Sequence, residues 1–176
     1  MVSKALKEPR EKPPPFPYLD KPFRFVTQMY DRCTPRLDEN SKLVVVEGAP
    51  AIGKSQFAQD LADQFDMVYM GPPNMDEIYV DYYGVDYRKY NEYFPDWYKT
   101  FDEKDFCRNP LGGATDTTCD RYHAYQYFLK WLHQLKAIRH ILNTGQGVVM
   151  EKGANADYIY LEAAYQQGWI TPESKN

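Results

Sequence analysis

Apolar and polar positions along the chain fall into a few regular stretches. Leu43-Val44-Val45-Val46 is an unbroken, mostly β-branched run of strand length, which predicts a buried strand. A glycine-bearing turn follows. Phe57, Leu61 and Phe65, with Ala58 and Ala62, then recur at helical spacing and predict an amphipathic helix to about Gln64. Met67-Val68-Tyr69-Met70, stopped by Gly71-Pro72-Pro73, predicts a second strand, and Val148-Val149-Met150, closed by Glu151, a third. Between them, Thr117 or Asp120 can cap a long helix running to about Leu142. Its positions Tyr125, Phe128, Leu129, Leu132, Leu135, Ile138 and Leu142 form so broad a stripe that it is expected to be largely buried. Asn143 to Gly147 reads as its C-cap and turn, and Asp157 to Gln167 as a last helix stopped at Gly168. Apolar strands alternating with helices predict an α/β domain with a parallel sheet.

Two regions lack such a period. Residues 1–40 form an N-terminal arm: Pro13-Pro14-Pro15-Phe16-Pro17-Tyr18 is forced to be extended, and residues 21–39, mixed aromatic and basic, lead into the first strand. The arm is expected to lie along a neighbouring surface, with recognition by a proline-reading domain as the alternative. Residues 74–118 scatter Tyr79, Tyr82, Tyr83, Tyr87, Tyr90 and other aromatics among acids. This is expected to be an irregular but ordered insertion that docks on something, since its acids would repel a nucleic-acid strand. Asp81, Asp86 and Glu92 do not have the spacing of an EF-hand loop.

Composition narrows the function. A chain of 176 residues at net charge −4 and pI about 5.4 lacks the basic face that a nucleic-acid polymer demands. Aromatics at 16%, most of them tyrosine, suit surfaces that meet a partner. No apolar run has the length of a transmembrane segment, and residues 1–12 lack the apolar core of a secretory signal and make a poor transit peptide. Cys33, Cys107 and Cys119 form no C-x-x-C pair, so a disulfide framework and a zinc site are both unsupported. His123, His133 and His140 lack H-x-x-x-H spacing and read as polar-face or core histidines.

The chemistry concentrates in Gly48-Ala49-Pro50-Ala51-Ile52-Gly53-Lys54-Ser55, a complete G-x-x-x-x-G-K-[ST] motif between a predicted strand and a predicted helix. Gly48, Ala51, Ile52 and Gly53 supply a backbone that turns N–H groups onto phosphate oxygens, and the helix start adds its positive dipole end. Lys54 would reach the β- and γ-phosphates and Ser55 would hold Mg²⁺ through its hydroxyl. Glu151, at the C-terminal end of a parallel strand, sits where open α/β sheets bind ligands and is the second candidate for the metal. The alternative is an inherited loop that no longer meets a nucleotide.

Asp38-Glu39-Asn40-Ser41-Lys42, the block Thr144 to Glu151, Asp157-Tyr158-Ile159-Tyr160-Leu161-Glu162-Ala163 and Gln167-Gly168 together resemble one family. It is the deoxynucleoside-kinase-like accessory subunits of mitochondrial NADH:ubiquinone oxidoreductase, respiratory complex I. The resemblance implies a P-loop nucleoside-kinase-like three-layer fold, here with its first three strands in the order second, third, first. It also implies a mitochondrial location on the matrix side of the inner membrane, other complex I subunits as partners, and no settled catalytic role. Against active kinases of this lineage the chemistry is incomplete. The carboxylate that takes the sugar hydroxyl proton after the second strand falls on Gly71 or Pro72, with Asp76 and Glu77 a few residues on. The acid-Arg-Ser motif becomes Glu151-Lys152-Gly153, which swaps a bidentate group for a point charge. Asp157 corresponds to an aspartate that faces the sugar, and a base-reading glutamine falls on His123, with Gln126 one turn away. The arginine-bearing lid would lie beyond Asn176, and the chain is expected to be a fragment or short isoform, marginal alone, with the phosphate strand at a sheet edge.

The first expectation is therefore a non-catalytic accessory subunit able to hold a purine nucleotide with Mg²⁺. The second is a working deoxynucleoside or nucleotide kinase that moves the ATP γ-phosphate with Lys54, Ser55, Glu151 and Asp157. FAD is attributed to the family, but no G-x-G-x-x-G follows a strand here. The Tyr-rich insertion and the proline arm are the expected docking surfaces.

Overall fold

A computed structural model describes residues 12–21, 25–30, 33–49, 51–95, 98–102, 104–105 and 117–170, with 25, 27, 28 and 117–121 described in backbone alone. The side chains of Thr117, Cys119 and Asp120, and with them the expected cap, lie outside what is described, as do Cys107 and residues 1–11 of the arm. Three parallel strands, β1 (Leu43–Val46), β2 (Val68–Met70) and β3 (Val148–Glu151), are ordered β1-β3-β2. This is the order that the resemblance implies, with the phosphate strand at an edge among the described residues. The register pairs Val46 with Glu151 and Tyr69 with Val149. β3 is buried along its whole length, which its Val-Val-Met run allows on both faces.

Helices cover both faces. Helix α2 (Lys54–Gln64) lies on one, packing Ala58 and Ala62 against Val149, Val44, Val46 and Tyr69. Helix α4 (Thr117–Thr144) crosses the other, where Ala137 and Ile141 meet Val148, Met150, Leu43 and Val68. Both helices correct the expected apolar faces in part. On α2 the expected Ala58, Ala62 and Leu61 do pack on the sheet, while Phe57 and Phe65 are 60% and 45% exposed. On α4, Leu129, Ala137 and Ile141 are buried, but Phe128, Trp131, Leu135, Ile138 and Leu142 each remain 39–48% exposed. These five recur at steps of three and four residues, so they form one stripe on the side turned away from the sheet. A helix lies close to a sheet where its side chains are small, and periodicity alone cannot tell a small face from a large one.

The insertion is partly regular. Helix α3 (Asp76–Tyr79), a Val80–Asp86 bridge and a 3-10 turn at Tyr87–Tyr90 fold back, so that Met75 and Tyr79 pack on Tyr122 and Leu129 of α4. The leader contains α1 (Phe25–Tyr30) and a 3-10 turn at Thr34–Arg36. Helix α5 (Asp157–Gln166) closes the described chain, burying Ala164 with Ile170.

The proline arm lies along the C-terminal end of α4. Phe16 N–H donates to the Asn143 carbonyl at 2.9 Å, the Tyr18 hydroxyl and His140 Nδ1 are 2.9 Å apart, and the Arg139 guanidinium sits 5.1 Å from the Tyr18 ring centroid. Buried Arg36 donates from Nε to the Pro14 carbonyl at 3.0 Å. The turn that carries α4 into β3 depends on Gly145, whose φ is +78° and whose missing Cβ would drive into the Arg36 backbone carbonyl. Gly145→Ala is therefore expected to cost about 2–3 kcal/mol, left-handed strain plus a clash with backbone that cannot yield. A urea midpoint lowered at unchanged m-value would show it, and a midpoint equal to wild type would count against this packing.

Candidate phosphate site

The turn after β1 and the start of α2 form the loop that the motif predicts. Gly53 caps α2 with φ at +83°, and Ala51 also takes a left-handed φ of +63°. Alternation of this kind turns successive backbone N–H groups to one side and makes an anion-binding concavity. Lys54 Nζ donates to the Gly48 carbonyl at 2.9 Å and the Ala49 carbonyl at 2.6 Å, folding the charge back over its own loop.

Opposite the loop stands Glu151, only 2% exposed at the end of β3. Its Oε2 accepts from the Ser55 hydroxyl at 3.1 Å, and its Oε1 accepts from the Tyr69 hydroxyl. The structure thus brings together the two residues expected to hold Mg²⁺ and adds a third from β2. A serine hydroxyl and a carboxylate at this separation fit an ion that keeps several waters and takes its remaining ligands from phosphate. Glu47 supports the same edge, its Oε1 accepting from the Gly153 N–H at 2.6 Å. Lys152, which follows Glu151, takes a left-handed φ of +58°.

Tyr69 was not predicted as a site residue. Paired with Val149, its side chain shares the α2 face of the sheet, and its length carries the hydroxyl one pleat up to Glu151. The hydrogen bond to Glu151, then burial and the nearby carboxylate charge, hold its phenol above the ordinary tyrosine value.

The remaining candidates go elsewhere. Asp157 pairs with Lys130 of α4, and both side chains are nearly buried. His123 lines a cavity of about 340 Å³ with Asp157 and Tyr127, whereas Gln126 lines a different cavity of about 760 Å³ with Met75, Asp76 and Arg88. After β2, Gly71 offers no carboxylate. Asp76 is paired with Arg88 at 2.7 Å, and Glu77 is held across to α4 by His133 at 2.5 Å and Lys136 at 2.7 Å. Arg88 also binds Asp86, which foremost raises its guanidinium pKa against the cost of burial.

Burial pushes the Glu77 carboxyl up, but Lys136 and His133 together outweigh it and hold it below the ordinary glutamate value. A lowered value in the folded chain contributes stability above the unfolded pKa, near 4.3, that is lost as pH falls through the folded one. Glu77→Gln is accordingly expected to cost about 0.5 kcal/mol at pH 7, because the pair is partly exposed, and nothing by about pH 2. Paired denaturation curves at the two pH values check this, and a cost independent of pH would contradict it.

No protein-family model matches the chain. Among curated proteins it is 31% identical over 140 residues to mitochondrial NADH dehydrogenase (ubiquinone) 1 alpha subcomplex subunit 10 of Bos taurus, a match covering 80% of this chain and 39% of that protein. The proteins of the same name from Rattus norvegicus and Mus musculus are 31% and 28% identical over the same length, 38% of each. The chain thus spans about two fifths of the length of these relatives. Over most of its residues the chain is thus similar to complex I alpha subcomplex subunit 10, the family that its blocks around the phosphate strand and Glu151 resemble.

Proposed function

We propose that the chain acts as an accessory, non-catalytic subunit of mitochondrial respiratory complex I, on the matrix side of the inner membrane, with a P-loop nucleoside-kinase-like fold that holds a nucleotide. The observation that carries the role is the 31% identity to subunits of that complex over 80% of the chain. The exposed stripe on α4, from Phe128 to Leu142, agrees with it, since a large contiguous apolar surface is what a protein working within an assembly presents. No described helix is long and apolar enough to cross a membrane, which fits contact with the complex through protein surfaces. A tagged full-length chain expressed in mitochondria is expected to co-migrate with complex I on native gels. Migration as a free protein in the matrix would contradict the proposal.

Nucleotide binding rests on Lys54, Ser55 and Glu151. Mg²⁺ with a bound polyphosphate would supply the charge that Lys54 now finds in the Gly48 and Ala49 carbonyls. Ser55 and Glu151 would hold the ion, and the loop amides the phosphate oxygens. Support for the absence of phosphoryl transfer comes from the turn after β2, where Gly71 stands and the next acids, Asp76 and Glu77, are committed to ion pairs. Without a positioned base, bound nucleotide turns over little.

Calorimetric titration with ATP, ADP, GTP and dGTP in Mg²⁺ is expected to show binding that Lys54→Ala weakens by at least about 100-fold, the scale of a charge-assisted phosphate contact. Folded wild-type protein that takes up none of the four would make the loop a relic of ancestry.

A further inference from the structure

Glu151 is 2% exposed, and a carboxylate so enclosed must have both oxygens paired. Ser55 serves Oε2, but this serine lies in an exposed first turn of α2 and is the group that a metal would engage. Oε1 is served by Tyr69, whose hydroxyl donates to it across 82 residues of sequence. Phenylalanine would fill the same space beside Leu61 and Met67 in the layer under α2. The hydroxyl must therefore be accounted for separately: on a half-buried ring it gives its proton to Glu151.

We infer that Tyr69 is a positioning residue for the metal half of the phosphate site: by binding Oε1 it keeps Oε2 of Glu151 turned toward Ser55, where Mg²⁺ would bind. The inference rests on the reading that the loop takes a Mg²⁺-bound nucleotide. Three elements then fix the metal site before any ion arrives: the start of α2, the end of β3 and the middle of β2. Partners that orient a metal-binding carboxylate in this way contribute to affinity without touching the ion.

The test separates metal binding from phosphate binding. ATP uptake by the full chain is measured by calorimetry across a Mg²⁺ series and again in EDTA, for wild type, Tyr69→Phe, Glu151→Gln and the double variant. Tyr69→Phe is expected to raise the Mg²⁺ concentration for half-maximal ATP binding by about 10-fold or more, to leave metal-free ATP binding unchanged, and to add nothing in the Glu151→Gln background. A Mg²⁺ midpoint within about two-fold of wild type would overturn the inference, as would equal weakening with and without metal, which would mean that Tyr69 only packs the sheet. Wild-type protein that binds no ATP in either condition would overturn both the inference and the reading beneath it, an outcome distinct from the other two.

Discussion

A carboxylate buried at the end of the central strand sets the terms for the phosphate-loop half of this molecule. Glu151 cannot stay there unless donors reach both of its oxygens, and the two donors come from elements far apart in sequence, Ser55 at the start of α2 and Tyr69 in β2. The strand register makes this possible. Pairing Val46 with Glu151 brings the end of β1, and hence the loop, beside the acid, while pairing Tyr69 with Val149 sets the phenol one pleat below it. A slip of one residue in β3 would turn Glu151 to the opposite face and expel it from the site.

The loop and the sheet have complementary parts in this arrangement. Left-handed turns at Ala51 and Gly53 fix the loop backbone, and Lys54 is kept over it by two carbonyls. These are local interactions within a few residues. The acid side is built by long-range contacts instead. A nucleotide with Mg²⁺ would have to displace the Lys54 bonds and the Ser55–Glu151 hydrogen bond, leaving the Tyr69 support of Glu151 in place, so much of the ordering is present in advance.

Much of this was legible in the sequence where the cause is local. The strand run at Leu43–Val46, the phosphate motif and the Val-Val-Met strand all appear where their residues predict, and the strand order implied by the family resemblance is found. What periodicity missed is side-chain size and reach. It marked Phe57, Leu61 and Phe65 with Ala58 and Ala62 as the inward face of α2; the alanines and Leu61 do lie against the sheet, whereas the two phenylalanines stay outside, because small residues let the helix approach. The same error made α4 a buried helix, whereas its larger residues form an outer stripe. Tyr69 was invisible as a site residue because its partner lies 82 positions away. Asp157 was expected to face a sugar; it lines a cavity with His123, and its pairing through Oδ1 with Lys130, 27 positions away, is a contact that no local spacing announces.

The central claim, a preformed loop and metal carboxylate that hold a nucleotide in a subunit without kinase chemistry, is most directly tested by amide hydrogen exchange of residues 48–57 with and without Mg²⁺ and ATP. The account predicts slowed exchange confined to the loop and the first turn of α2, lost in Lys54→Ala and unaccompanied by ADP release over hours. Unchanged loop exchange at millimolar ATP, or steady release of ADP, would contradict it.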